Sequence, residues 1–259
     1  MWAAVFVFVL GICVGSFLNV TIDRLPRGKS LLYPPSHCDT CGNKLRPLDL
    51  IPLVSYIWVK GKCRYCGASI PRRILVVELV TGLLFVLIFF SYGLGIEFLV
   101  LAFYSCIFLV LAVIDLEHGL VLNDIVYPAI GISLIISPFW SSLGFPRTLL
   151  GNYTMQDTLL SSLSGGAIFG VLLFLVVLVS RGGMGWGDVK MAGLVGLVTG
   201  FPLVLFAIEI AFISGGLTAV FLLLLRRKGR KETIPFAPFL SLGAFITLLW
   251  GGDIIAWYF

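Results

Sequence analysis

Two sets of residues in this sequence could do chemistry. The first is four cysteines, in Cys38-Asp-Thr-Cys41-Gly42 and Cys63-Arg-Tyr-Cys66-Gly67, with 21 residues between Cys41 and Cys63. Both halves follow the pattern C-x-x-C-G-x-x-[LI], closed by Leu45 and Ile70. Two such knuckles fold back to present four thiolates at the corners of a tetrahedron, which suits Zn²⁺ at about 2.3 Å per sulfur. Gly42 and Gly67 supply the left-handed backbone that a tight turn needs. Four protein ligands leave no open position, so the expected metal staples a small domain.

The second set is acidic. Asp115 falls in LAVIDLEHG and Asp188 in GGMGWGDVKM, with 72 residues between them. Two carboxylates meeting in a poorly solvated site tend to share one proton. One can then take a proton from a water while the other protonates the scissile carbonyl, which is aspartic protease chemistry. Each acid also has a plainer reading as a helix cap, and Asp before a helix is a good one. Asp124, nine residues after Asp115, competes with it for the role. Gly182, Gly183, Gly185 and Gly187 let backbone come close to a substrate or let a helix break before Asp188. Lys190 is a candidate partner for Asp188, and Glu78 and Glu209 read as polar packing groups or part of a substrate path. Cys13 and Cys106 read as packing residues, and His37 and His118 show no partner pattern.

The elements that must position these groups are membrane helices. Of 259 residues, 59% are hydrophobic and only 12% charged, against roughly a quarter charged in a soluble domain. The mean hydropathy is +1.07. Disorder, a collagen, a small disulfide scaffold and an ordinary cytosolic enzyme are excluded on that basis. A span needs about 20 mostly apolar residues. Eight segments come near this, at 2–22, 74–93, 96–114, 125–142, 158–180, 188–200, 202–225 and 235–258. The sixth is short and Gly-rich, as a helix buried among neighbours would be. The first lacks the basic start and A-x-A site of a cleaved signal peptide.

Residues 23–73 hold ten of the 18 Lys and Arg residues against three acids, a net +7, while the rest of the chain is close to neutral. The pI near 8.9 therefore reports one basic loop and not a nucleic-acid surface. Short basic loops stay in the cytoplasm. Alternation from that loop brings Asp115, Asp188 and the cluster Arg226-Arg227-Lys228-Gly229-Arg230-Lys231 to the same side, and puts the loop 143–157 outside. A cytoplasmic site is reducing, which argues for metal ligation over disulfides at the cysteines.

These residues together resemble a known family. GSFLNVTIDRLPRG (Gly15 to Gly28), the paired knuckles, LDLIPLVSY (Leu48 to Tyr56), CRYCGASIPRR, VELVTG (Val77 to Gly82), the Asp115 segment and GMGWGDVK (Gly183 to Lys190) are similar, in this order, to the bacterial type IV prepilin peptidases. The resemblance implies a G-x-G-D aspartic membrane protease of the bacterial inner membrane. It would cleave the short basic leader of type IV prepilins and type II secretion pseudopilins on the cytoplasmic side. It also implies methylation of the new N-terminus with S-adenosylmethionine, an activity the family ties to the N-terminal block and the cysteine domain. The family's catalytic pair carries over to Asp115 and Asp188. Where the family has a Leu-Pro-Asp turn, this chain reads Leu122-Asn123-Asp124.

The expected protein is all-α and polytopic. It comprises a first transmembrane helix (1–22), a cytoplasmic zinc-ribbon-like domain (23–73) ligating metal through Cys38, Cys41, Cys63 and Cys66, and a transmembrane aspartic peptidase domain (74–259). A non-enzymatic membrane scaffold or transporter with a zinc-ribbon docking loop is the alternative, and a peptidase that does not methylate is a third reading.

Overall fold

The computed structural model describes residues 2–143, 154–180, 184–225 and 234–258. Among them are nine helices: α1 (Trp2–Arg24), α2 (Val54–Trp58), α3 (Arg72–Tyr92), α4 (Ile96–His118), α5 (Asn123–Ile136), α6 (Met155–Ser180), α7 (Trp186–Thr199), α8 (Val204–Leu224) and α9 (Ala237–Tyr258). Extended pairing among the described residues is limited to two isolated bridges, His37 with Lys44 and Lys62 with Ser69. The fold is therefore helical, as expected.

Eight of the nine helices coincide with the eight apolar segments. Six are long and apolar enough to cross a membrane: α1 with the turn after it, α3, α4, α6, α8 and α9. The other two fall short. α5 with its 3-10 continuation covers Asn123–Phe139, and α7 has 14 residues, about 21 Å at 1.5 Å per residue against a hydrocarbon core of about 30 Å. α7 is nonetheless the most enclosed helix, with Met191, Ala192 and every residue from Leu194 to Thr199 buried. It packs on α5, α6, α8 and α9, as its glycine content suggests.

The chain divides into two compact units, with the division at Cys106 and Ile107 inside α4. In the first unit α1 and α3 run antiparallel with their backbones almost touching. A Cβ on Gly11 would stand 2.8 Å from the Gly82 Cα, and one on Gly15 would stand 2.8 Å from the Glu78 Cα. Small residues at such seams replace the hydrophobic force that lipid removes. After α1, Arg24 donates to the carbonyls of Ser30, Leu31 and Pro34, and Arg73 pairs with Asp23 at 2.6 Å. The loop is thus pinned back on the ends of the two helices it joins.

In the second unit the helices alternate in direction. α4 ends at Gly119, whose left-handed φ of +63° lets its N–H reach the Asp115 carbonyl at 2.8 Å. At the start of α6, Thr154 and Asp157 form a reciprocal cap, and Thr158 donates to the Pro138 carbonyl. Ser161 near the start of α6 clasps Phe201 just after α7, through Ser161 Oγ to the Phe201 carbonyl at 2.6 Å. The large exposed side chains, among them Leu99, Ile135, Val179, Leu217 and Phe221, are apolar, which is the surface a bilayer requires. The chain is a multi-pass membrane protein. Of the segments singled out in the sequence, Gly182, Gly183, the Arg226–Lys231 cluster and 144–153 of the loop 143–157 lie outside the described residues.

Candidate active site and metal centre

The two knuckles repeat in space as they do in sequence. In the first, the Cys38 N–H donates to the Asn43 carbonyl, Gly42 to Cys38 and Leu45 to Ser36; in the second, Cys63 donates to Ala68, Gly67 to Cys63 and Ile70 to Gly61. Gly42 and Gly67 have φ of +70° and +72°, the conformation expected of them. All four sulfurs lie within 4.8 Å of one another, and Cys38 Sγ is 3.9 Å from Cys66 Sγ. A tetrahedron with arms of about 2.3 Å has edges of about 3.8 Å, so a zinc ion fits this donor set. The Cys38 thiol is drawn down to about 6 by the backbone N–H groups of Cys41 and Thr40, which favours the thiolate that a metal needs. Desolvation and the neighbouring thiols push Cys66 up to about 11, so that without a cation the four sulfurs do not ionise together. Between the knuckles, Asp49 pairs with Arg64 at 3.0 Å and accepts the Arg46 N–H, tying the linking segment to the second knuckle.

In the second unit the two aspartates come together. Asp115 lies in the last turn of α4 and Asp188 in the first turn of α7; they are 6% and 9% exposed, and the charge of Asp115 acts on Asp188. Each is held by main-chain donors at a helix N-terminus. Asp188 Oδ2 accepts the N–H of Gly185 at 3.3 Å. Asp115 Oδ2 accepts the N–H of Ala237, the first residue of α9, at 3.0 Å, with the Phe236 N–H also directed to the carboxylate. The C-terminal end of α4 and the N-terminal ends of α7 and α9 therefore converge on this acidic pair. Sequence reading missed the α9 contribution. Its local signal is Pro235-Phe236-Ala237-Pro238, prolines flanking a helix start, but nothing local connects it to Asp115, 122 residues away.

The glycines of G-x-G-D differ in role. A Cβ on Gly187 would stand 2.7 Å from the Val121 Cβ, so α7 can begin against the segment after α4 only without a side chain there. A Cβ on Gly185 would be 3.7 Å from Asp188 Oδ2 and would meet no other obstruction that close save the Gly187 N at 3.9 Å. Gly185 leaves space beside the carboxylate itself.

The remaining candidates are placed elsewhere. Asp124 is exposed at the start of α5. Lys190 does not pair with Asp188; it donates to Asn123 Oδ1 at 2.9 Å and sits over the Tyr127 ring. Glu209 is exposed on α8, and His37 and His118 are exposed. Cys13 faces outward on α1 and does not pack inside, while Cys106 is half-buried. Glu78 is buried in the first unit, where its Oε2 accepts the Leu53 N–H at 2.8 Å.

Comparison with known proteins gives the class. The Bacterial Peptidase A24 N-terminal domain matches residues 9–92, and the Type IV leader peptidase family matches residues 102–220. Among curated proteins, one from Aeromonas salmonicida is 30% identical over 279 residues, covering 97% of this chain and 92% of its own length. One from Pseudomonas aeruginosa is 31% identical over 280 residues, covering 96% and 91%. One from Bacillus subtilis is 28% identical over 254 residues, covering 97% and 96%. Each of the three is named a prepilin leader peptidase/N-methyltransferase. No solved structure matches the chain. The chain belongs to the type IV leader peptidase family.

Proposed function

We propose that this membrane enzyme removes the basic leader from type IV prepilins and type II secretion pseudopilins, using Asp115 and Asp188 as its catalytic pair, and then methylates the new N-terminus. The observation that carries this is the meeting of two buried aspartates from α4 and α7 at one end of the second unit. With one proton between them, the ionised carboxylate takes a proton from a water as its oxygen adds to the scissile carbonyl. The protonated carboxyl gives its proton to the developing oxyanion. Collapse of that intermediate breaks the C–N bond, and the proton taken from water passes to the leaving amine. Burial favours proton sharing, since two adjacent carboxylates resist ionising together.

The net +7 of residues 23–73 supports a cytoplasmic position for that loop and hence for the acidic end of the bundle. The helix directions in the second unit suit this alternation. In this reading 1–22 is the first span, 23–73 is the zinc-stapled module on Cys38, Cys41, Cys63 and Cys66, and 74–259 is the peptidase body. S-adenosylmethionine would supply an electrophilic methyl group to the amine that cleavage exposes.

The test is co-expression of a prepilin with wild type, Asp115→Asn, Asp188→Asn and Asp124→Asn, read by intact mass. Wild type and Asp124→Asn should release the leader, and the product should carry one added methyl group. Leader loss with either of the other two variants would end the dyad proposal.

A further inference from the structure

At the seam of α1 and α3 lies a polar cluster that leader cleavage does not use. Glu78, in the second turn of α3, is 4% exposed. Its partners are neutral: the Leu53 N–H at 2.8 Å and the Ser16 hydroxyl. No ion pair reaches it; those among the described residues join Arg64 to Asp49 and Arg73 to Asp23. One turn from Glu78 along α3, the Ile74 carbonyl accepts Asn19 Nδ2 at 3.0 Å. That bond fixes which end of the amide is which, and it leaves Asn19 Oδ1 buried without a donor on a residue only 5% exposed.

A buried acceptor left unpaired forfeits its hydration without replacement, and an ionisable side chain within a span is costly and usually functional. Both costs are met by one kind of ligand, a compact cation carrying several N–H donors. Leu53, whose N–H holds Glu78, has a φ of +60° without being glycine, the sort of strain that collects at ligand sites. Gly15, whose Cβ would strike the Glu78 backbone, brings the two helices together, and Asn19, bonded to the Ile74 carbonyl, meets α3 one turn from Glu78 on the same face.

We propose that Asn19 and Glu78 form a site for a primary ammonium group used in the methyl transfer. The inference rests on the methyltransferase half of the reading above. The same chemistry has two sources: the amino-acid end of S-adenosylmethionine and the new N-terminus of the cleaved substrate.

The experiment uses the full chain in detergent and measures binding directly. The probes are S-adenosylhomocysteine, methylthioadenosine (which lacks the ammonium) and a mature-sequence pilin peptide with a free or acetylated N-terminus. Glu78→Gln preserves shape and can still accept the Leu53 N–H; Asn19→Leu removes the unpaired oxygen. If the cofactor is the source, both variants weaken S-adenosylhomocysteine about 10- to 100-fold and leave methylthioadenosine unchanged. If the substrate is the source, cofactor binding holds, and the preference for free over acetylated peptide disappears. Prepilin cleavage persists in either case. Unchanged binding of both probes overturns the site while leaving the methyltransferase reading intact. Loss of stability and cleavage together with binding overturns it in favour of a structural clamp. A wild type that binds neither probe removes the methyltransferase reading and the site with it.

Discussion

Two chemically identical substitutions on the α6–α7 seam should have opposite effects. A Cβ on Gly165 would stand 2.5 Å from the Gly196 carbonyl oxygen and 2.9 Å from the Gly200 backbone, where ordinary contact begins at 3.4 Å. Backbone cannot rotate away as a side chain can, so Gly165→Ala must push α7 outward by about 0.9 Å, the difference between 2.5 and 3.4 Å. Overpacking of this kind costs about 1–3 kcal/mol. A Cβ on Gly193 would meet nothing within 4 Å, so Gly193→Ala should stabilise the helix by about 0.5–1 kcal/mol. The gap between the two variants is then about 1.5–4 kcal/mol. α7 also carries Asp188, and a misplacement of about 1 Å can cost roughly 100-fold in rate. The displacement enters at the far end of α7 and reaches Asp188 diminished, so a fall in kcat of roughly 10-fold is expected from Gly165→Ala and none from Gly193→Ala. Thermal unfolding in detergent and single-substrate cleavage kinetics read both quantities. Equal stability and equal kcat for the two variants would refute the packing argument and, with it, α7 as the rigid carrier of Asp188.

Gly185→Ala should fold as wild type does, because its Cβ clears its neighbours, yet lose cleavage by filling the space next to Asp188 Oδ2; Gly187→Ala should instead lower the melting temperature through the collision with Val121. Ala237→Pro keeps a residue that helix starts accept but removes the N–H that holds Asp115. A hydrogen bond to a charged group contributes about 1.5–3 kcal/mol, so kcat should fall roughly 10- to 150-fold, with methylation of a pre-cleaved peptide retained as the sign of an intact fold. Stripping metal with a chelator, or Cys63→Ser, should make residues 36–70 protease-sensitive while cross-links between α1 and α3 still form. Protons compete with the metal for thiolates, so metal release should also set in on acidification, at a pH below the value near 6 of the metal-free Cys38 thiol, because a bound cation holds its thiolates deprotonated.

What the sequence disclosed and what it hid divide along a physical line. The knuckles were legible because each is closed by local hydrogen bonds, and the glycine after each second cysteine has the positive φ its position demands. Helix positions were legible because a bilayer imposes a length. Helix faces were not. Lipid and protein interior are equally apolar, so an α-helix that faces both carries little periodic signal; Cys13 and Glu209 proved to face outward. Pairings between distant helices were hidden for the same reason. Lys190 goes to Asn123 and not to Asp188, and the α9 donor to Asp115 follows from tertiary packing that no local pattern encodes. The exposed position of Asp124 could not be read from its spacing to Asp115 either.

The location of the proposed dyad follows from what a membrane bundle can offer. Within a span every backbone N–H is taken by the helix, and leaving one free in hydrocarbon costs several kcal/mol. Unused donors exist only in the first turn of each helix. A site that must hold two carboxylates with main-chain donors therefore belongs where N-termini gather, at an end of the bundle. α7 and α9 both begin there, and the Gly185 and Ala237 N–H groups serve Asp188 and Asp115 respectively. The short α7 fits the same logic. Enclosed by its neighbours, it does not need to match the bilayer thickness, so its start can be set by the position Asp188 requires. Gly187 is the residue that lets that start come up against Val121, just beyond the turn that ends α4.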